Sequence, residues 1–235
     1  MSVAVLPFTV MERDIVDKEV LNRYYNPIYY QLSQGLSSIP GCAILAGIVT
    51  IIIITMTKLN EPYWYFLNMF LSLMVAEALA QLISHMVPHF VIGMALLAGC
   101  YGFFMLIQGF MLVPSQFPNW LEWLNPVAFH TYSWRSFMDF EFRGETFTDP
   151  TFPTGESVLE FYEIDDVNRT HDMITLVGYC GVVHLFSFIV LIVRYNYFNG
   201  QLQPLSEQFE KSRATRRRSS VKGSFHSKDH ESFRA

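Results

Sequence analysis

The stretch GCAILAGIVTIIIITMT, residues 41–57, carries no charged side chain, and its reading decides the fold class. Its β-branched Ile, Val and Thr would suit a strand in water. Yet the charge-free run around it extends from Tyr24 to Thr57. As helix, roughly 20 apolar residues cross a hydrocarbon core of about 30 Å. Inside lipid every backbone N–H and C=O must find a partner, so only a helix or a closed barrel can span. The stretch shows no alternation of apolar and polar positions, and helix is the reading that remains.

The rest of the chain repeats the pattern. No Asp, Glu, Lys or Arg occurs from Ala78 to Leu121 or from Met173 to Val193. Over all 235 residues 51% are hydrophobic and 16% charged, where soluble domains carry about 25% charged. Soluble, disordered and nucleic-acid-binding classes are excluded. The expectation is an all-α membrane protein with four transmembrane helices at about 37–57, 62–84, 87–113 and 173–193. An N-terminal cytosolic helix and outer re-entrant or interfacial helices are expected beside them. Cys42, Cys100 and Cys180 all fall in apolar segments and read as buried free thiols. Met1–Val10 has no basic residue and only a short apolar run, so no signal peptide is read there.

Charge sets the orientation. The tail from Arg194 to Ala235 holds 9 Lys or Arg against 4 acids, and the loop from Pro114 to Asp172 holds 11 acids against three arginines. Basic residues close to a span's end stay on the cytosolic side, so the tail is expected there, the N-terminus with it, and loop 114–172 outside. The sequon Asn168-Arg169-Thr170 in that loop fits this topology, and Asn168 is the candidate glycosylation site. Its closeness to the last span argues against modification. Residues 199–235 read as a disordered basic tail. Arg216-Arg217-Arg218-Ser219-Ser220 within it is either a positive-inside anchor or a lipid-binding, phosphorylatable cluster.

Toward the N-terminus, MERDIVDKEVLNRYYNPIYYQLSQGL is charged first and aromatic later. It reads as a cytosolic helix followed by a belt of Tyr24, Tyr25, Tyr29 and Tyr30 at headgroup level. After the third span, FPNWLEWLNPVAFHTYSWRSFMDFEFRG is dense in aromatics but interrupted by Pro118 and Pro126. Short helices in the outer interface suit it better than a crossing. Glu77 is the only acid inside an expected span. Its alternatives are a functional acid facing the bundle interior and a structural one, protonated or hydrogen-bonded to Gln81 or His85. His85 and His89 have the i, i+4 spacing of a metal pair, but Pro88 breaks the turn and no third ligand is near, so no metal is expected. His184 reads as a bundle-facing hydrogen-bond partner.

Four segments carry a resemblance. E12R13-x5-E19-x4-Y24Y25 leading into a span resembles the first intracellular loop of ATP-binding-cassette transporters of the G subfamily, the white–brown and multidrug-exporter group. QGFMLV (108–113), WLEWLNP (120–126) and FEFRG (140–144) are similar to that family's fifth helix end and outer re-entrant helices. The likeness covers about residues 8–198. The sequence contains no G-x-x-x-x-G-K-[ST] phosphate loop and no LSGGQ-like signature. The expectation is therefore the C-terminal part of a transporter's transmembrane domain, with Val3–Val10 ending the second span. It has no catalytic residues of its own and would not hydrolyse ATP alone.

The resemblance implies alternating access in a dimer that exports hydrophobic or lipid-like substrates. ATP and magnesium would sit on a nucleotide-binding domain supplied elsewhere. Implied partners are the lipid bilayer, that domain, and a second transmembrane half, identical or different. The implied location is the plasma membrane, with an internal membrane as the alternative. Glu12, Arg13 and Glu19 would couple to the nucleotide-binding domain; otherwise they form a solvated charged face. Phe110 and Met111 stand where the family has paired leucines and would form a hydrophobic gate, or else pack as ordinary helix residues. Tyr101 and Met105 would line the substrate cavity, or else an apolar packing stripe. Ser38-Ile39-Pro40 departs from the acid that the family often has near the start of this span. The competing function is a truncated paralogue that transports nothing and regulates full transporters. An intramembrane enzyme built on Glu77 and the histidines has no supporting motif set.

Overall fold

The computed structural model describes residues 2–22, 24–57, 61–147, 152–164 and 167–195. Residues 199–235, read as the basic tail with its Arg216–Ser220 cluster, lie outside the described residues. Met1–Leu191 makes one compact unit. Helix α1 spans Ser2–Leu21, α2 Pro27–Thr57, α3 Pro62–Met86 and α4 Phe90–Ile107. Short helices follow, α5 at Asn119–Glu122, α6 at Phe129–Phe142 and α7 at Gly155–Phe161. The last helix, α8, runs over Arg169–Tyr195. Among the described residues there is no strand, only an isolated bridge between Thr146 and Thr154.

Four helices, α2, α3, α4 and α8, are long and apolar enough to cross a membrane. The protein is an all-α integral membrane protein. In α2 the sides are reversed relative to a soluble helix. Its buried residues are Gln31, Ser38, Cys42, Ala46 and Thr50, a stripe of small and polar side chains at helical spacing. Ile44, Ile48, Ile51 and Ile52 are exposed. Lipid tails are as apolar as isoleucine, so nothing drives isoleucine inward. Small side chains let backbones approach, and polar ones find partners across the interface. Thr50 Oγ donates to the Ala46 carbonyl at 2.6 Å and Thr55 Oγ to that of Ile51 at 2.7 Å, which keeps these hydroxyls satisfied within the helix.

α3 is the hub and the most buried of the four. It packs against α1, α2, α4 and α6. Leu6 and Val10 of α1 enter a cluster with Ala80, Ile83 and Val87 at the end of α3 and Leu97 of α4. Val87-Pro88-His89 makes the turn between α3 and α4, since proline cannot continue the helical ladder. Nearer the middle of α3, Val75 forms a second cluster with Phe129 of α6 and Leu176 of α8, and Tyr101 packs against both clusters. α6 is too short to cross a bilayer. Gly155 opens α7 where an added Cβ would stand 1.6 Å from the Phe142 carbonyl oxygen, so only glycine permits this approach.

Two local features depart from the sequence reading. Helical geometry in the first span begins at Pro27, not near residue 37, because the tyrosine-rich segment joins the same helix. The third span's helix ends at Ile107 rather than continuing to Val113. Gly109 takes φ +101, a left-handed conformation that costs glycine little, and turns the chain there.

Candidate functional site

Tyr101 and Met105, one helical turn apart on α4, face a common hollow of about 340 Å³. Ala76 of α3, Gly102, Gln108 and His130 of α6 complete it. The Tyr101 hydroxyl donates to the Ala76 carbonyl at 2.6 Å, fixing the ring across the α3–α4 seam. The Tyr101 ring meets His130 edge-on, with centroids 6.0 Å apart. Burial pushes the His130 imidazole down to about 4, so it is neutral at physiological pH, and its Nδ1 is buried without a hydrogen-bond partner among the described residues. An apolar wall with two polar groups and an adaptable methionine is the chemistry of a surface for hydrophobic guests.

The expected gate residues sit past the turn at Gly109. Phe110 packs on Trp134 of α6, centroids 4.9 Å apart, and lies parallel to Tyr162 at 6.5 Å. Met111 is exposed. Neither continues the α4 face that carries Tyr101 and Met105, because the helix that would have aligned all four ends first.

On α1 the three expected coupling residues each have a tertiary or capping contact. Arg13 Nη2 donates to the Pro88 carbonyl at 2.8 Å and Nη1 to that of Val87, so the guanidinium caps the C-terminal end of α3. Glu12 accepts from Gln34 of α2 at 3.1 Å, and Glu19 accepts from the Tyr25 hydroxyl at 2.8 Å. Burial and the Glu19 carboxylate push Tyr25 well above the usual phenol range.

Glu77, the acid within α3, is buried and faces α2, where the Cys42 thiol donates to its Oε2 at 2.9 Å. Two helical turns further along, a network joins three helices. Gln31 of α2 accepts from His85 of α3 at 3.1 Å and from Ser187 of α8 at 3.4 Å. Its Nε2 donates to Gln81 at 3.3 Å and lies 3.4 Å from His184 Nδ1. Gly35 lets the His184 ring approach, with 3.3 Å from an added Cβ to the ring. His85 therefore faces inward to Gln31, while His89 is exposed at the start of α4.

The sequence matches a known membrane module. Residues 1–142 fit the family model described as ABC-2 type transporter. The chain belongs to that family. Its relatives include ABC transporter G family member STR2 of Medicago truncatula, 23% identical over 79% of this chain and 26% of that protein. ABC transporter G family member 1 of Petunia hybrida is 27% identical over 82% of this chain and 31% of its own length. Member 11 of Arabidopsis thaliana is 28% identical over 70% and 25% respectively. The ABC-2 chain thus spans about a quarter to a third of the length of these relatives.

At the end of the bundle where α3 begins, this ABC-2 membrane domain is tied by charge. Asp139 of α6 is buried between two arginines. Arg143 bonds it at 2.5 Å through Nε and Nη2, and Arg169 Nε bonds its other oxygen. Arg169 Nη1 also reaches Glu61 at 2.8 Å. Asn168, the sequon residue, is exposed and caps α8, its Oδ1 accepting from the His171 backbone N–H at 3.4 Å. Gln31, Gln108, His130, Asp139 and Arg169 were not singled out as site residues from sequence. Only the Asp139–Arg143 pair has a local i, i+4 spacing; Gln31 and Arg169 meet their partners on other helices.

Proposed function

We propose that this chain is the transmembrane part of an ATP-driven exporter of hydrophobic or lipid-like molecules, working by alternating access in a dimer. One observation carries the reading. Arg13 and the Leu6–Val10 face bind α1 to the α3–α4 turn, and Tyr101 packs against that same cluster while lining the hollow. A push on α1 therefore reaches the hollow through packed side chains. Glu12, Arg13 and Glu19 stand on the helix that would receive that push from a nucleotide-binding domain, where ATP and magnesium would be held. Hydrolysis then belongs to that module, and this chain's own residues bind cargo and transmit movement.

In this reading Tyr101 and Met105 form half of a substrate cavity that a second transmembrane half completes, and the exposed Met111 beside Phe110 closes its exit. Met111 can adapt to a symmetry mate, whereas Phe110 is steadied by Trp134. The N-terminus and the basic tail lie in the cytosol of a cell whose plasma membrane holds the protein, and Asn168 lies outside. Glu77 serves as a packing acid, held by Cys42, rather than as a cargo contact.

The test is transport into inside-out vesicles that contain the protein together with its ATPase module, with a lipophilic dye as cargo. ATP should drive uptake; Met105→Trp should reduce it severalfold with membrane insertion unchanged, and Arg13→Ala should uncouple it from ATP. Uptake that needs no ATP, or is indifferent to both substitutions, overturns the reading.

A further inference from the structure

Beyond the Tyr101 hollow, a second cavity of about 560 Å³ lies among α3, α6 and α7 and the segment after α4. Aromatic rings make most of its wall. Phe110 and Trp134 meet at 4.9 Å and 64°, Trp134 and Tyr162 at 6.1 Å and 81°, and Tyr162 and Phe161 at 5.1 Å and 89°. On the α3 side Phe137 packs against Tyr65 at 4.7 Å. Tyr65 stands in the first turn of a membrane-crossing helix, which sets the cavity at the boundary between the apolar span and the polar end of the bundle.

Two polar groups in this wall have no partner among the described residues. Glu141 Oε2 is buried and accepts no hydrogen bond from them, and the Trp134 indole N–H is buried and donates none to them. The neighbouring arginines are turned to other acids, Arg143 and Arg169 to Asp139 and Arg135 to Asp172. Burial and the nearby Glu145 push the Glu141 carboxyl above its usual range, as expected of a carboxylate lacking a cation. A buried acceptor and a buried donor left unpaired are costly unless a ligand completes them.

We infer that this aromatic cavity binds an alkylammonium group, its positive charge against Glu141 and the ring faces and an acceptor atom on the Trp134 N–H. Aromatic faces attract cations, best when both are desolvated, and quaternary ammonium groups suit them because they hold their own water weakly. An anion would meet the Glu141 carboxylate, and a neutral hydrocarbon would leave both polar groups unpaired. The volume exceeds what a trimethylammonium group fills, so the guest carries a further body or chain. Such an ammonium comes either from a choline-headgroup lipid in the adjoining leaflet or from a free amphipathic amine. The site shares Phe110 and Trp134 with the proposed exit gate, but its test does not rest on the transport reading, since binding requires no ATP and no movement.

The experiment is a titration of the full chain in nanodiscs with a fluorescent choline ester, beside a probe of the same shape in which carbon replaces the ammonium nitrogen. Saturable binding of the cationic probe is expected, with the neutral probe at least about tenfold weaker. Glu141→Gln should weaken the cation by a similar factor, Glu141→Asp should restore part of it, and Phe161→Leu, which keeps apolar volume without the ring, should weaken it less. Nanodiscs of a neutral galactolipid and of phosphatidylcholine separate the sources. A lower apparent affinity in phosphatidylcholine assigns the site to the lipid headgroup, and equal affinity assigns it to a free amine. Equal binding of the two probes, or unchanged binding in a folded Glu141→Gln protein, overturns the inference.

Discussion

The two ends of the polar architecture are built from different chemistry. Where α3 and α8 begin, full charges hold the chain, with Asp139 between Arg143 and Arg169 and Glu61 beyond. Within the bundle, amide, imidazole, hydroxyl and thiol groups do the same work, with Gln31 joining Gln81, His85, His184 and Ser187 and the Cys42 thiol donating to Glu77. The difference follows from solvent. Arg143 and Arg169 are partly exposed and keep some hydration, so the ion pairs recover the cost of burying Asp139. In lipid that hydration is gone, and amides and imidazoles, which can both donate and accept, connect helices at lower cost.

The comparison can be broken from the charged side first. Asp139→Ala leaves two arginines facing each other, and removal of one partner from a buried ion cluster costs roughly 3–5 kcal/mol. The expected outcome is a fall of several degrees in Tm for the detergent-solubilised chain, made steeper by low salt; a wild-type Tm would show that the charges contribute no net stability. Arg13→Ala removes charge-assisted bonds to the carbonyls that end α3, a loss of about 1.5–3 kcal/mol, and Arg13→Lys should recover only part of it. Faster amide exchange at Val87 and His89 is the local readout.

On the neutral side the effects shrink. Gln31→Leu unpairs Gln81, His85 and Ser187, yet interhelical bonds in membranes average about 0.6 kcal/mol, so about 1–2 kcal/mol is expected in total, with no dependence on salt. A salt-dependent loss would mean that the network is charged. Glu77→Gln is the smallest, within about 0.5 kcal/mol, because the amide oxygen still accepts from the Cys42 thiol. A loss of transport with intact stability in that variant would return Glu77 to the cargo path.

How much could be read in advance varies with the kind of evidence. The four crossing helices were legible because charge exclusion from lipid acts on each segment separately. Tyr101 and Met105 share a hollow because i, i+4 spacing fixes their common face as long as the helix is intact. Phe110 and Met111 do not extend that face: the apolar run continues to Val113, but the helix ends at Ile107 and Gly109 turns the chain before them. Apolar composition cannot distinguish a helix from an apolar turn. His130 gave no local signal at all, since it reaches the hollow from α6, a different helix from the α4 that carries Tyr101 and Met105.

Sequence alone determined that this chain lives in a bilayer as helices, because hydrophobicity and backbone pairing are properties of contiguous residues. It also carried the family likeness, because the outer aromatic segments keep a readable order. Only the tertiary structure decided what the polar residues do. Gln31 and His184 stand 153 residues apart in sequence, and nothing in either neighbourhood pairs them. Their meeting depends on how α2, α3 and α8 pack, and on Gly35 letting the imidazole approach, which is a matter of three-dimensional fit and not of composition.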